Sequence, residues 1–87
     1  MKMCPNQYIG RNNIVGVKVA ELRKAQSKAQ GKLFSQKNLA EKLNSLGLII
    51  DKNTVQRIES GQRFVTDIEL KYLAKALGTT INELLGE

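Results

Sequence analysis

The residues best equipped for chemistry lie in one short stretch, NTVQRIESG, running from Asn53 to Gly61. At helical spacing Val55 and Ile58 point one way and leave Asn53, Gln56 and Arg57 on the other side. Amides donate and accept hydrogen bonds, and a guanidinium donates several in a rigid fork, so these side chains suit recognition of a polar partner. The competing explanation is a solvated outer face, which is the default for polar residues on a short helix.

Catalytic chemistry is poorly represented. The 87 residues include no His and one cysteine, Cys4, which excludes within one chain a disulfide framework, a Cys and His zinc site and a His-based triad. Glu21, Glu41, Glu59 and Glu69 have no companion His, glycine-rich phosphate loop or nucleophile signature, and they fit helix-surface or capping positions better. A chain of this length also leaves little room for a substrate cleft. No enzyme, cofactor, metal or small-molecule ligand is expected.

The charge points elsewhere. Fourteen Lys and Arg against eight Asp and Glu give a net charge of +6. Residues 1–66 carry twelve basic side chains against Glu21, Glu41, Asp51 and Glu59, whereas residues 67–87 carry Lys71 and Lys75 against Asp67, Glu69, Glu83 and Glu87. An excess confined to the first three-quarters of the chain favours a polyanionic partner, of which nucleic acid is the commonest in a cytoplasm. The run MKMCPNQYIG lacks the apolar segment of a signal peptide, and no stretch approaches the roughly 18 apolar residues of a membrane helix. A soluble cytoplasmic protein without a membrane partner is the expectation.

The elements that must position Asn53 to Arg57 are legible from periodicity and punctuation. Residues 1–13, with Pro5, Gly10, Asn12 and Asn13, show no sustained period and read as a flexible arm; residues 14–87 read as a single domain. Helix 1 follows from Ile14 with Val15, Val19 and Leu22 at helical intervals, and stops at Gly31. Ser35 caps helix 2, whose stripe is Leu39, Leu43 and Leu46 with Ala40 beside it, and Gly47 ends it. In LGLIID, Leu48, Ile49 and Ile50 read as a connector, with at least one of them buried. Asp51 caps helix 3, about residues 52–60, which stops at Gly61. TDIE (Thr66 to Glu69) and TINE (Thr80 to Glu83) are capping boxes opening helices 4 and 5. Leu70, Leu73, Ala74 and Leu77 on helix 4 and Ile81 and Leu84 on helix 5 are assigned to the core, while Leu85 is left open between core and dimer contact. The fold class is all-α, a compact five-helix bundle.

Taken together, SQKNLAEKL, NTVQRIESG and ELKYLAKALGTTINELL resemble the Cro and phage-repressor helix-turn-helix family, the XRE type, over roughly residues 14–85. The resemblance implies a lambda-repressor-like DNA-binding fold in which helix 3 enters the major groove. It implies a sequence-specific transcriptional regulator, a repressor, acting as a homodimer on a palindromic double-stranded operator. By matching positions, Lys52, Asn53 and Arg57 reach bases, with Thr54 and Gln56 at the flanks. Their chemistry suits this: Arg or Lys donates to guanine O6 and N7, and Asn bonds adenine N6 and N7 in both directions. Gln36 matches the residue at the start of helix 2 that contacts the sugar-phosphate backbone, and Lys37 adds a nearby charge. Gln62 and Arg63 fall where the family again touches phosphate, and Arg23 with Glu59 matches an ion pair of many members.

The sequence departs from the family pattern twice. About five extra residues lie between Leu43 and Val55, so a lengthened connection joins helices 2 and 3; about six more lie between Arg23 and Gln36, absorbed by a longer helix 1. Lys18, Lys24, Lys28 and Lys32 form a basic strip read as a solubilising surface, and Lys2 and Arg11 are read as part of a frayed terminus. Tyr8, Phe34, Phe64 and Tyr72 are too scattered for a base-stacking platform and are read as packing residues. The alternative function is a protein-interaction module on the same fold, an antitoxin-like or anti-regulator adapter, with an exposed apolar patch near Leu48 to Ile50 or Leu85.

Overall fold

The computed structural model describes residues 10–86, so Lys2, Cys4 and Tyr8 lie outside the described residues. Five helices follow in chain order: α1 (Gly16–Gln30), α2 (Gln36–Leu46), α3 (Lys52–Ser60), α4 (Asp67–Leu77) and α5 (Ile81–Leu85). No strand occurs among the described residues, and none of the helices is long and apolar enough to cross a membrane.

The starts of α2 to α5 follow from caps that the side chains build. Ser35, Thr66 and Thr80 each accept from the backbone N–H three residues on, and Asn38, Glu69 and Glu83 reach back to complete a capping box. Asp51 opens α3 by accepting from the Thr54 N–H. The core gathers one stripe from each helix: Val15 and Val19, Leu39 and Leu43, Val55 and Ile58, Leu73 and Leu77, and Leu84. Because α3 is packed against both α1 and α2, its inner residues are fixed by two independent surfaces. At the start of α1, Gly16 lies so close to α3 that a methyl group there would run into the Ile58 carbonyl oxygen.

Three side chains assigned to packing are exposed instead. Leu46 is the last residue of α2, where the chain turns at Gly47, and is 40% exposed. Ile81 is the first residue of α5, so its side chain leans back past the helix start and is 38% exposed. Phe64, 72% exposed, faces outward because its neighbour Val65 takes the inner side of the loop. Phe34 and Tyr72 do pack against the core.

The connection between α2 and α3 is non-helical, as its composition predicts. The Leu48 N–H donates to the Leu43 carbonyl at 2.9 Å and the Ile50 N–H to Asn44 Oδ1 at 3.0 Å, which ties the extra residues back onto α2. Leu48 and Ile50 are half-buried against the core, and Ile49 between them is 80% exposed. The longer connection thus acts as an anchored strap.

Candidate nucleic-acid interface

The arrangement of α3 starts from its two ends. At the first, Asp51 Oδ1 accepts from both the backbone N–H and the hydroxyl of Thr54, each at 2.8 Å. These bonds hold the Asp51 carboxyl below its ordinary range, the backbone bond contributing most. At the other end Gly61 takes a left-handed φ of 84°, and its N–H reaches back to close the last turn.

Between the caps, Val55 and Ile58 are fully buried and Lys52, Asn53, Gln56 and Arg57 are exposed. None of these four polar side chains has a hydrogen-bond partner among the described residues, so their donors and acceptors are available to an external ligand. Thr54 differs, because its hydroxyl is engaged by Asp51 and it is half-buried.

The flanking candidates divide. Lys37 and Gln62 are exposed. Gln36, the first residue of α2, turns its amide inward, and Nε2 donates to Glu59 Oε1 at 2.9 Å. Arg63 forms a two-pronged ion pair with Glu69, both contacts at 2.7 Å, and also donates to the Phe64 carbonyl. The pairing lowers the Glu69 pKa and raises that of Arg63, in each case through the hydrogen bonds between them first. The structure therefore brings Lys52, Asn53, Gln56 and Arg57 together on one open face, with Gln36 and Arg63 committed to internal partners at its margins.

The Arg23 and Glu59 pair is formed. Arg23 Nε and Nη2 donate to the two Glu59 oxygens at 2.7 and 3.1 Å, and Nη1 donates to the Phe34 carbonyl at 3.0 Å. Since Gln36 shares the same carboxylate, one side chain of α3 is held simultaneously by α1 and α2. Desolvating both charges costs free energy, so the pair is better understood as fixing orientation than as adding net stability.

Residues 11–13, assigned to the flexible arm, are bound to the far end of α3. Arg11 Nη2 donates to the Glu59 carbonyl at 2.6 Å and Asn13 Nδ2 to the Ile58 carbonyl at 3.0 Å, while the Asn12 N–H donates to the Gly61 carbonyl at 2.7 Å. A helix end leaves carbonyls unpaired, and this segment supplies donors to them. Sequence reasoning missed it. The available signal was Asn13, whose Oδ1 accepts from the Gly16 N–H at 2.7 Å and so marks the entry to α1.

A family model described as helix-turn-helix matches residues 19–84. No curated protein and no solved structure matches the chain.

Proposed function

The chain belongs to the XRE, or lambda-repressor-like, helix-turn-helix family of DNA-binding regulators, and from that premise we propose that it is a cytoplasmic repressor reading double-stranded DNA with the open face of α3. The observation that carries this reading is the outward set Lys52, Asn53, Gln56 and Arg57, unpaired among the described residues and backed by buried Val55 and Ile58. Arg57 and Lys52 supply donors for guanine O6 and N7, and Asn53 and Gln56 pair with adenine N6 and N7. Thr54, held to Asp51, lies at the flank and acts through its methyl group. Gln36, Lys37, Gln62 and Arg63 border the duplex backbone, Gln36 and Arg63 while holding Glu59 and Glu69. Phosphate contacts of this kind set register, and base contacts set preference.

The protein acts as a homodimer. Nine helical residues span about 13 Å, which covers only about four base steps of roughly 3.4 Å. So short a site recurs too often to specify an operator, whereas two copies on a palindrome double the readout with recognition helices about 34 Å apart.

A second reading, a protein-interaction module, draws support from exposed Ile49 in the α2 to α3 connection and from exposed Phe64. Selection from a randomised duplex pool at two salt concentrations separates the two. Enrichment of a symmetric sequence is expected for the repressor. Absence of enrichment, with a co-purifying protein whose binding ignores changes at Asn53 and Arg57, sinks it in favour of the module.

A further inference from the structure

The segment Arg11 to Asn13 precedes the residues matched by the family model, yet it binds the last turn of α3 and the loop that follows it. Donors from these three residues reach the carbonyls of Ile58, Glu59, Gly61, Gln62 and Arg63, at 3.0, 2.6, 2.7, 2.9 and 2.7 Å. Asn13 alone spans the helix end and the following loop, because its single Nδ2 serves both Ile58 and Arg63. Arg11 adds a cation at the negative pole of the helix dipole. Its guanidinium lies over Gly61, where a Cβ would meet Arg11 atoms at 2.6 to 2.8 Å.

We propose that Arg11, Asn12 and Asn13 are positioning residues that clamp the C-terminal end of α3 and the loop after it, setting the depth and tilt at which α3 meets the duplex. The functional unit therefore begins about eight residues before the matched region, with this clasp as a part of the reading head. The physical argument is restraint of the loop. Asp51 holds the start of α3, and Arg23 and Gln36 hold its last turn through the Glu59 side chain, whereas the carbonyls of Gly61, Gln62 and Arg63 are bound by Asn12 and Asn13, so without the clasp this loop and the turn that runs into it would be less restrained. Hydrogen-bonded base readout fails when donors move by about an ångström, which a small rotation of a short rod produces.

This inference rests on the DNA-binding reading, and its test keeps the two apart. The full chain and the variants Asn13→Asp, Asn12→Ala and Arg11→Ala are titrated with the selected operator and with a random duplex, alongside thermal melts. Asn13→Asp keeps the acceptor for the Gly16 N–H and loses both donations from Nδ2, while Asn12→Ala removes one bond from an exposed side chain and leaves folding intact. The preference ratio is the decisive readout, because a smaller folded fraction lowers both affinities by the same factor and cancels from it. The expected result is a ratio reduced about tenfold in Asn13→Asp, the scale of one direct base contact, and a smaller reduction in Asn12→Ala. Asn12→Ala, which changes no charge, should keep the parent's salt dependence on the random duplex. Variants that keep the parent's ratio overturn the clasp alone, whereas a parent that prefers no duplex sequence overturns the reading beneath it.

Discussion

Arg57 and Asn53 present hydrogen-bonding groups that the rest of the described protein leaves unused, so their substitution tests recognition with little effect on folding. Arg57→Ala or Asn53→Ala should cost about 1 to 3 kcal/mol on the best operator and relax preference at one base pair, measured by competition binding against single-position operator variants. Buried polar groups behave oppositely. The Glu69 carboxyl is held below its ordinary range by the Arg63 guanidinium first and the Thr66 backbone N–H after it. A carboxyl with a lower pKa in the folded state stabilises the protein above the unfolded value, and that contribution is lost as pH falls through the folded value. Glu69→Gln should therefore lose about 1 to 3 kcal/mol at pH 7 in urea unfolding, and its stability should decline less than the parent's on acidification below about pH 4. An unchanged acid profile would remove the Arg63 pair from the account.

At the scale of elements, α3 is positioned by three attachments of different origin: its own Asp51 cap, the Glu59 carboxylate shared by α1 and α2, and the Arg11 to Asn13 clasp. Gly61 sits where two of their demands meet, with a left-handed φ and the Arg11 guanidinium packed over it. Gly61→Ala should lower stability by about 2 to 4 kcal/mol, combining backbone strain with displacement of Arg11. Gly31→Ala, at an equally left-handed but open position, should cost about 1 kcal/mol. Thermal melts of the pair distinguish strain alone from strain plus crowding, and equal losses would mean that Arg11 yields easily. The α2 to α3 connection shows how an insertion is accommodated: Asn44 and Leu43 tether its backbone, and alternate residues face the core.

For the whole molecule, the excess of basic residues lies in the part that contains α1 to α3, while α4 and α5 begin with acidic capping residues. A dimer neutralising about four phosphates per half-site should show a slope of roughly −7 for log affinity against log salt. Equilibrium titrations across a range of salt concentrations measure it, and a slope near zero would rule out phosphate binding as the main source of affinity. The five helices, the side-chain caps that open α2 to α5 and the buried pair Val55 and Ile58 were readable from the sequence, because capping and amphipathic spacing are local and each signal lies within a few residues of what it determines. The exposure of Leu46, Phe64 and Ile81 was not readable, since apolar character says that a residue can be buried and only the position of its helix or loop says whether a surface is there to cover it. The same holds for Gln36, Arg63 and the Arg11 to Asn13 segment. Their partners lie 23, 6 and as many as 50 residues away. Local pattern determined that α3 exists and which side it turns outward; the meeting of distant carbonyls, carboxylates and amides decided how it is held.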